Sequence, residues 1–193
     1  MDRSADRLSE EERVELLSLA RETIRKKITK GRLEPLEPPS GKLARPCGAF
    51  VSLHKRGDLR GCIGTFVSSR PLQDTVAEMA ISAATRDPRF PPVTEPELAE
   101  IDVEISVLSP LREIDDPADI EVGRHGIYIS RGLRSGVLLP QVATEYGWDR
   151  ETFLQHTCLK AGLPPDAWRE LGTKIELFEA EVFGEKERGE RDG

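Results

Sequence analysis

A cysteine and an arginine stand between two glycines in Leu59-Arg60-Gly61-Cys62-Ile63-Gly64-Thr65, a stretch that reads as a β-strand. A thiol near a guanidinium is suited to nucleophilic or anion-holding chemistry, because an adjacent positive charge favours the thiolate. The glycines strengthen that reading. Inside a strand a glycine costs roughly 0.5–1 kcal/mol against alanine, so two in one strand point to close approach by another backbone or by a ligand.

Pairing decides what else lies beside them. Upstream, the chain alternates through Phe50, Val51, Ser52, Leu53 and His54, turns at Arg56-Gly57-Asp58 and returns through the motif, as a hairpin does. Pairing Lys55 with Leu59 sets Val51 opposite Ile63 and Leu53 opposite Gly61, giving one apolar face; a slip of one residue would mix polar with apolar. On the second face the same register sets Ser52 opposite Cys62, His54 opposite Arg60 and Phe50 opposite Gly64. On a functional reading Cys62 is the nucleophile, His54 moves protons, and Arg60, Ser52, Gly61 and Gly64 hold an anionic substrate. On a structural reading this is an ordinary sheet face with a half-buried cysteine, and the residues leave both open. Asp87 and Arg89 flank Pro88 either as an ion pair fixing a loop or as the wall of a site.

Elsewhere the chemistry is sparser. The three cysteines, at 47, 62 and 158, are an odd number, and the hairpin register separates Cys47 from Cys62 by on the order of 15 Å, too far for a disulfide. Cys47 reads as structural and Cys158 as part of a helix's apolar face. No CxxC, HExxH or similar spacing occurs, so no metal site and no cofactor is expected. His125, before Gly126, reads as a turn residue with a catalytic role as the alternative.

These groups need a scaffold. Ser9 with Glu12 forms a capping box, and Val14, Leu17, Ala20, Ile24 and Ile28 follow at helical spacing until Gly31. Leu33 to Pro46 reads as a connector. Pro71 opens a second helix with Leu72, Val76, Met79, Ala80 and Ala83 on one face, and Asp87 to Pro92 is a rigid loop. Ile101, Val103, Ile105 and Val107 alternate with polar residues, predicting a half-buried strand. Residues 119–131 read as a second hairpin, Gly136 to Leu139 as a short strand, and Asp149 as the N-cap of a helix through Cys158. Lys174 to Phe183 reads as one strand whose apolar phase changes near Leu177, with a bulge as the simplest account. The expected class is α+β with mainly antiparallel pairing and flanking helices, with a doubly wound parallel sheet as second choice. Residues 1–184 read as one domain and 185–193 as a disordered charged tail.

With 193 residues the chain can bury roughly 70 % of its unfolded surface. Its net charge of −7 makes nucleic acid an unlikely partner and disfavours anionic lipid. Met1 leads into a polar stretch and no apolar run is long enough to span a bilayer, so a soluble cytoplasmic protein, with no membrane partner, is expected.

Leu59 to Thr65 resembles the signature of the AMMECR domain family, also described as protein A of the AmmeMemoRadiSam system. The likeness continues through Asp87-Pro88-Arg89-Phe90-Pro91-Pro92, Gly126-Ile127-Tyr128, Leu138-Leu139-Pro140-Gln141-Val142 and Lys160-Ala161-Gly162-Leu163-Pro164 with Trp168, covering roughly residues 10–184. The resemblance implies a larger and a smaller α+β lobe with a cleft between them. It also implies partnership with a Memo-type protein and a radical S-adenosylmethionine enzyme, and supplies no accepted catalytic residues. Two functions follow as expectations: an enzyme or enzyme component acting on a small anionic or nucleotide-like substrate, or a non-catalytic scaffold for those partners.

Overall fold

Capping, periodicity and turn chemistry produce an α+β protein with two antiparallel sheets. The structure, a computed structural model, describes residues 7–31 and 35–186. Contacts divide the chain into two compact units, residues 1–108 with 181–193, and residues 109–180.

In the first unit, helix α1 (Glu10–Lys30) begins with the expected capping box: Ser9 Oγ accepts from the Glu12 amide and Glu12 accepts from the Ser9 amide. It ends at Gly31, whose φ of 73° no β-carbon opposes. Its buried face is Leu16, Ala20, Thr23 and Ile24, rotated from the stripe that the spacing predicts, and Val14 is exposed. Strands β1 (Ala49–Lys55) and β2 (Asp58–Thr65) form the hairpin, α2 (Leu72–Thr85) follows, and β3 (Ile101–Leu108) pairs antiparallel with β1. The final strand β8 (Ala180–Gly184) completes the order β2-β1-β3-β8. Leu16 and Ile24 of α1, Leu72, Val76 and Ala80 of α2, and Val51, Leu53, Val103 and Ile105 of the sheet share one core. Each such Leu, Ile or Val contributes roughly 1.5–3 kcal/mol by leaving water.

In the second unit, β4 (Arg112–Ile114), β5 (Gly126–Arg131), β6 (Arg134–Leu138) and β7 (Lys174–Phe178) order as β4-β7-β5-β6. The short helix α3 (Pro140–Glu145) and α4 (Arg150–Lys160) accompany them, with Asp149 capping α4 through the Thr152 amide at 2.8 Å. Phe153, Leu154 and Cys158 of α4 bury against Ile127, Ile129, Ile175 and Leu177.

Both hairpins and the last strand depart from the sequence expectation. The first hairpin turns on two residues, not three: Arg56 at φ 54° and Gly57 at φ 90° have the left-handed conformations of the turn type that matches strand twist. The expected pairs hold from Phe50↔Gly64 to Leu53↔Gly61, but a bulge then sets His54 opposite Leu59 and Lys55 opposite Asp58, leaving Arg60 as the extra residue. The second hairpin is β5–β6 across Gly132-Leu133 and not residues 119–131; residues 120–125 form a loop. The phase change near Leu177 marks a change of sheet, not a bulge, because β7 ends at Phe178 and β8 starts at Ala180 in the other sheet.

Glu185, expected in the tail, is held by Arg21 and accepts from the Val103 amide at 2.8 Å, while residues 187–193 lie outside the described residues. So do residues 1–6 and 32–34, the latter part of the expected connector.

Gly61 shows how tightly α2 lies on the hairpin: a β-carbon there would sit 2.3 Å from the Ala83 carbonyl oxygen. Gly61→Ala is expected to lower stability by about 1–3 kcal/mol through this backbone clash, read from the midpoint of urea unfolding. An unchanged midpoint would mean that the helix can withdraw at no cost.

Candidate functional site

The polar face of the first sheet carries Ser52 and His54 from β1, Cys62 from β2, and Asp102, Glu104 and Ser106 from β3, set by the register Ser52↔Cys62, Ser52↔Glu104 and His54↔Asp102. The Ser52 hydroxyl donates to Cys62 Sγ at 3.2 Å. Both residues are half-buried. His54 Nε2 lies 3.8 Å from Glu104 Oε1, close enough for charge interaction and too long for a hydrogen bond. Among the described residues that buried nitrogen has no hydrogen-bond partner.

Asp87 and Arg89 act on the backbone of Cys62. The Cys62 amide donates to Asp87 Oδ2 at 2.8 Å, and Arg89 Nη2 donates to the Cys62 carbonyl oxygen at 3.2 Å. Arg89 also donates to Asp87 through Nε, Nη2 and its own amide at 2.9, 2.7 and 3.1 Å. β2 is an outer strand, so the N–H and C=O of Cys62 face away from β1 together. A carboxylate and a guanidinium take the places that the carbonyl and amide of a further strand would occupy. The Asp87 side chain is only 2 % exposed, and the Arg89 hydrogen bonds, then the Cys62 and Arg89 amides, hold its carboxyl well below the usual carboxylate range against burial.

Arg60 goes elsewhere. As the bulged residue it forms a two-pronged pair with Glu97, Nε to Oε1 at 3.0 Å and Nη2 to Oε2 at 3.1 Å. Lys55 Nζ shares Glu97 Oε1 at 3.2 Å, and the Thr94 amide and hydroxyl donate to Oε2. This ring of donors, Arg60 first, holds the Glu97 carboxyl far below its ordinary value. Arg60 Nη1 is buried with no hydrogen-bond partner among the described residues.

The two glycines have packing reasons. Gly61 admits the Ala83 backbone, and a β-carbon on Gly64 would fall 2.2 Å from the Phe50 ring, which in turn meets Phe66 edge-on at 4.8 Å. The fold therefore brings Ser52, Cys62, Asp87 and Arg89 into one hydrogen-bonded group, keeps His54 on the same face, and directs Arg60 to Glu97. Sequence reasoning passed over Glu97 and Glu104. Thr94-x-x-Glu97 is a capping-box spacing that marks Glu97 as a local acceptor, and Glu104 is the middle polar residue of the alternating third strand.

The three cysteines are free thiols, and burial pushes the Cys158 thiol up. His125 is buried and its Nδ1 accepts from the Glu121 amide at 3.0 Å; burial pulls its pKa down. The described residues contain no cluster of three or more His, Cys, Asp or Glu side chains arranged to hold a metal ion. Hollows of about 570 Å³ and 450 Å³ occur in the first and second units, and neither is lined by Ser52, His54, Arg60 or Cys62.

Fold and site define an α+β protein with two antiparallel sheets and a clamped cysteine on the outer strand of one. Residues 17–183 match the AMMECR1 family, and the chain belongs to it. A Methanopyrus kandleri protein is 49 % identical over 191 residues, spanning 94 % of this chain and 92 % of that protein. A Methanothermobacter thermautotrophicus protein is 54 % identical over 144 residues, 72 % of this chain and 75 % of that one. The crystal structure of an uncharacterized Pyrococcus horikoshii protein, 42 % identical, superposes with a TM-score of 0.73 over 89 % of this chain and 90 % of that one. No helix among the described residues is long and apolar enough to cross a membrane.

The clamp has a pH signature. Because the folded-state pKa of Asp87 is depressed, its stabilisation is complete above the unfolded value near 4 and is lost as pH falls toward the folded value. Asp87→Asn is expected to cost about 2 kcal/mol at pH 7, tempered by the exposure of Arg89. The gap from the unsubstituted protein should narrow below about pH 4 in thermal unfolding across pH. A gap independent of pH would mean that the loss does not come from the ionised carboxylate.

Proposed function

We propose that the polar face around Cys62 is a binding and reaction site for a small anionic or nucleotide-like molecule, making the chain an enzyme or enzyme component. The observation that carries this reading is the state of Cys62: its sulfur accepts from Ser52, and its backbone is held at both N–H and C=O by a charged pair 25 and 27 residues away. In this reading Cys62 is the reactive thiol, and the Ser52 hydroxyl steadies negative charge on its sulfur. His54, beside Glu104, carries protons. Arg60 meets an oxyanion through Nη1, which is buried and has to be uncovered as the ligand enters, while Glu97 fixes the rest of its guanidinium, and Asp87 and Arg89 position the thiol.

A second reading is favoured by the packing roles of Gly61 and Gly64. In it the chain is a non-catalytic scaffold for a Memo-type protein and a radical S-adenosylmethionine enzyme. Mass spectrometry of small molecules retained by the native protein separates the two. The first reading expects an acidic metabolite on the unsubstituted chain that is lost from Arg60→Ala and Cys62→Ala; no retention by any of the three favours the scaffold. Iodoacetamide should also alkylate Cys62 faster than the fully buried Cys158 by about tenfold or more, and equal rates would contradict a reactive thiol.

A further inference from the structure

In the second unit, two leucines stand fully exposed at the tips of turns. Leu133 is at the two-residue β5–β6 turn after Gly132, whose φ is 60°, and Leu171 is in the turn closed by the Thr173 amide on the Glu170 carbonyl. Turn tips ordinarily take glycine, asparagine, aspartate or serine, and a leucine there contributes no burial to the fold. The tips are joined: Arg131, the last residue of β5, pairs with Glu170 at 2.5 Å.

Beside Leu133 is a hollow of about 450 Å³, lined by Arg131, Leu133, Arg134, Leu163, Pro164 and Glu170, the last of which precedes Leu171 in the chain. Its apolar wall is Leu133, Leu163 and Pro164. Its charges are unequal. Arg131 is neutralised by Glu170, whereas Arg134 donates only to the Gly162 carbonyl at 2.9 Å and meets no carboxylate among the described residues. An apolar hollow edged by an exposed leucine, with one uncompensated guanidinium on its rim, is complementary to an apolar side chain next to a carboxylate.

We propose that this rim docks an extended segment of a partner protein, inserting an apolar side chain between Leu133 and Leu163 and setting a neighbouring aspartate or glutamate on Arg134. A second copy of this chain fits less well, because each copy carries a net charge of −7. The surface is independent of the reading given to Cys62.

The test pans a display library of random peptides of about twelve residues on the full chain. Enriched peptides are then titrated against the unsubstituted protein, Leu133→Asp, Leu171→Asp and Arg134→Glu. Enrichment of an apolar residue beside Asp or Glu is expected, with affinity reduced about tenfold or more by Leu133→Asp and by Arg134→Glu and unchanged by Leu171→Asp, which lies outside the lining. Replacing the peptide's acidic residue with lysine should restore binding to Arg134→Glu. All three side chains are exposed, so thermal unfolding should be unchanged. The proposal is overturned by enrichment of peptides without an acidic residue, by equal binding to all variants, or by no enrichment. Concentration-dependent self-association abolished by Leu133→Asp would also overturn it, by assigning the surface to a second copy.

Discussion

The carboxylate of Asp87 closes the outer edge of the first sheet at one residue, and much of the local architecture depends on that closure. β2 has a neighbour on one side only, so the amide and carbonyl of Cys62 would otherwise face outward without a strand to receive them. Leaving a buried donor unpaired costs about 1–3 kcal/mol, and here a carboxylate and a guanidinium meet both groups. The same contacts tie the loop after α2 to the strand. They keep the Ala83 carbonyl against Gly61 and leave the Cys62 side chain directed to the polar face beside Ser52. An open edge is converted into a fixed position for a thiol.

A second constraint is the division of charge on the hairpin. The two-residue turn requires left-handed conformations at Arg56 and Gly57, and the bulge that follows removes Arg60 from the ladder and gives it to Glu97. Lys55 and Thr94 converge on the same carboxylate. Arg60 thereby anchors the segment before β3 to the hairpin tip, leaving its Nη1 buried and without a hydrogen-bond partner among the described residues. Asp87 and Arg89 hold the backbone of Cys62, and the Arg89 guanidinium also interacts with its thiol.

Much of this was legible in the sequence where local rules decide. Ser9 and Glu12 announced the start of α1, Asp149 the start of α4, and strict alternation placed Ser52 opposite Cys62 because a slip of one residue would have mixed polar with apolar. Where the outcome depended on distant backbone, the residues were silent. Asp87 and Arg89 could be read as a pair, but not as a substitute strand, since their partner lies 25 residues away on an edge known only from the fold. The bulge at Arg60 leaves no periodic trace in so short a strand. The phase change near Leu177 was visible, yet a bulge and a change of sheet write the same pattern, and only topology separates them.

Hydrogen exchange at the Cys62 amide is the most direct test of this account, because an outer strand's outward amide exchanges fast unless something holds it. With Asp87 as its acceptor the amide should be protected in the native protein to a degree comparable with the paired amides of Ile63 and Gly61, and should lose that protection selectively in Asp87→Ala while theirs persists. Exchange at the rate of an open edge in the unsubstituted protein would contradict the closure on which the position of the thiol rests.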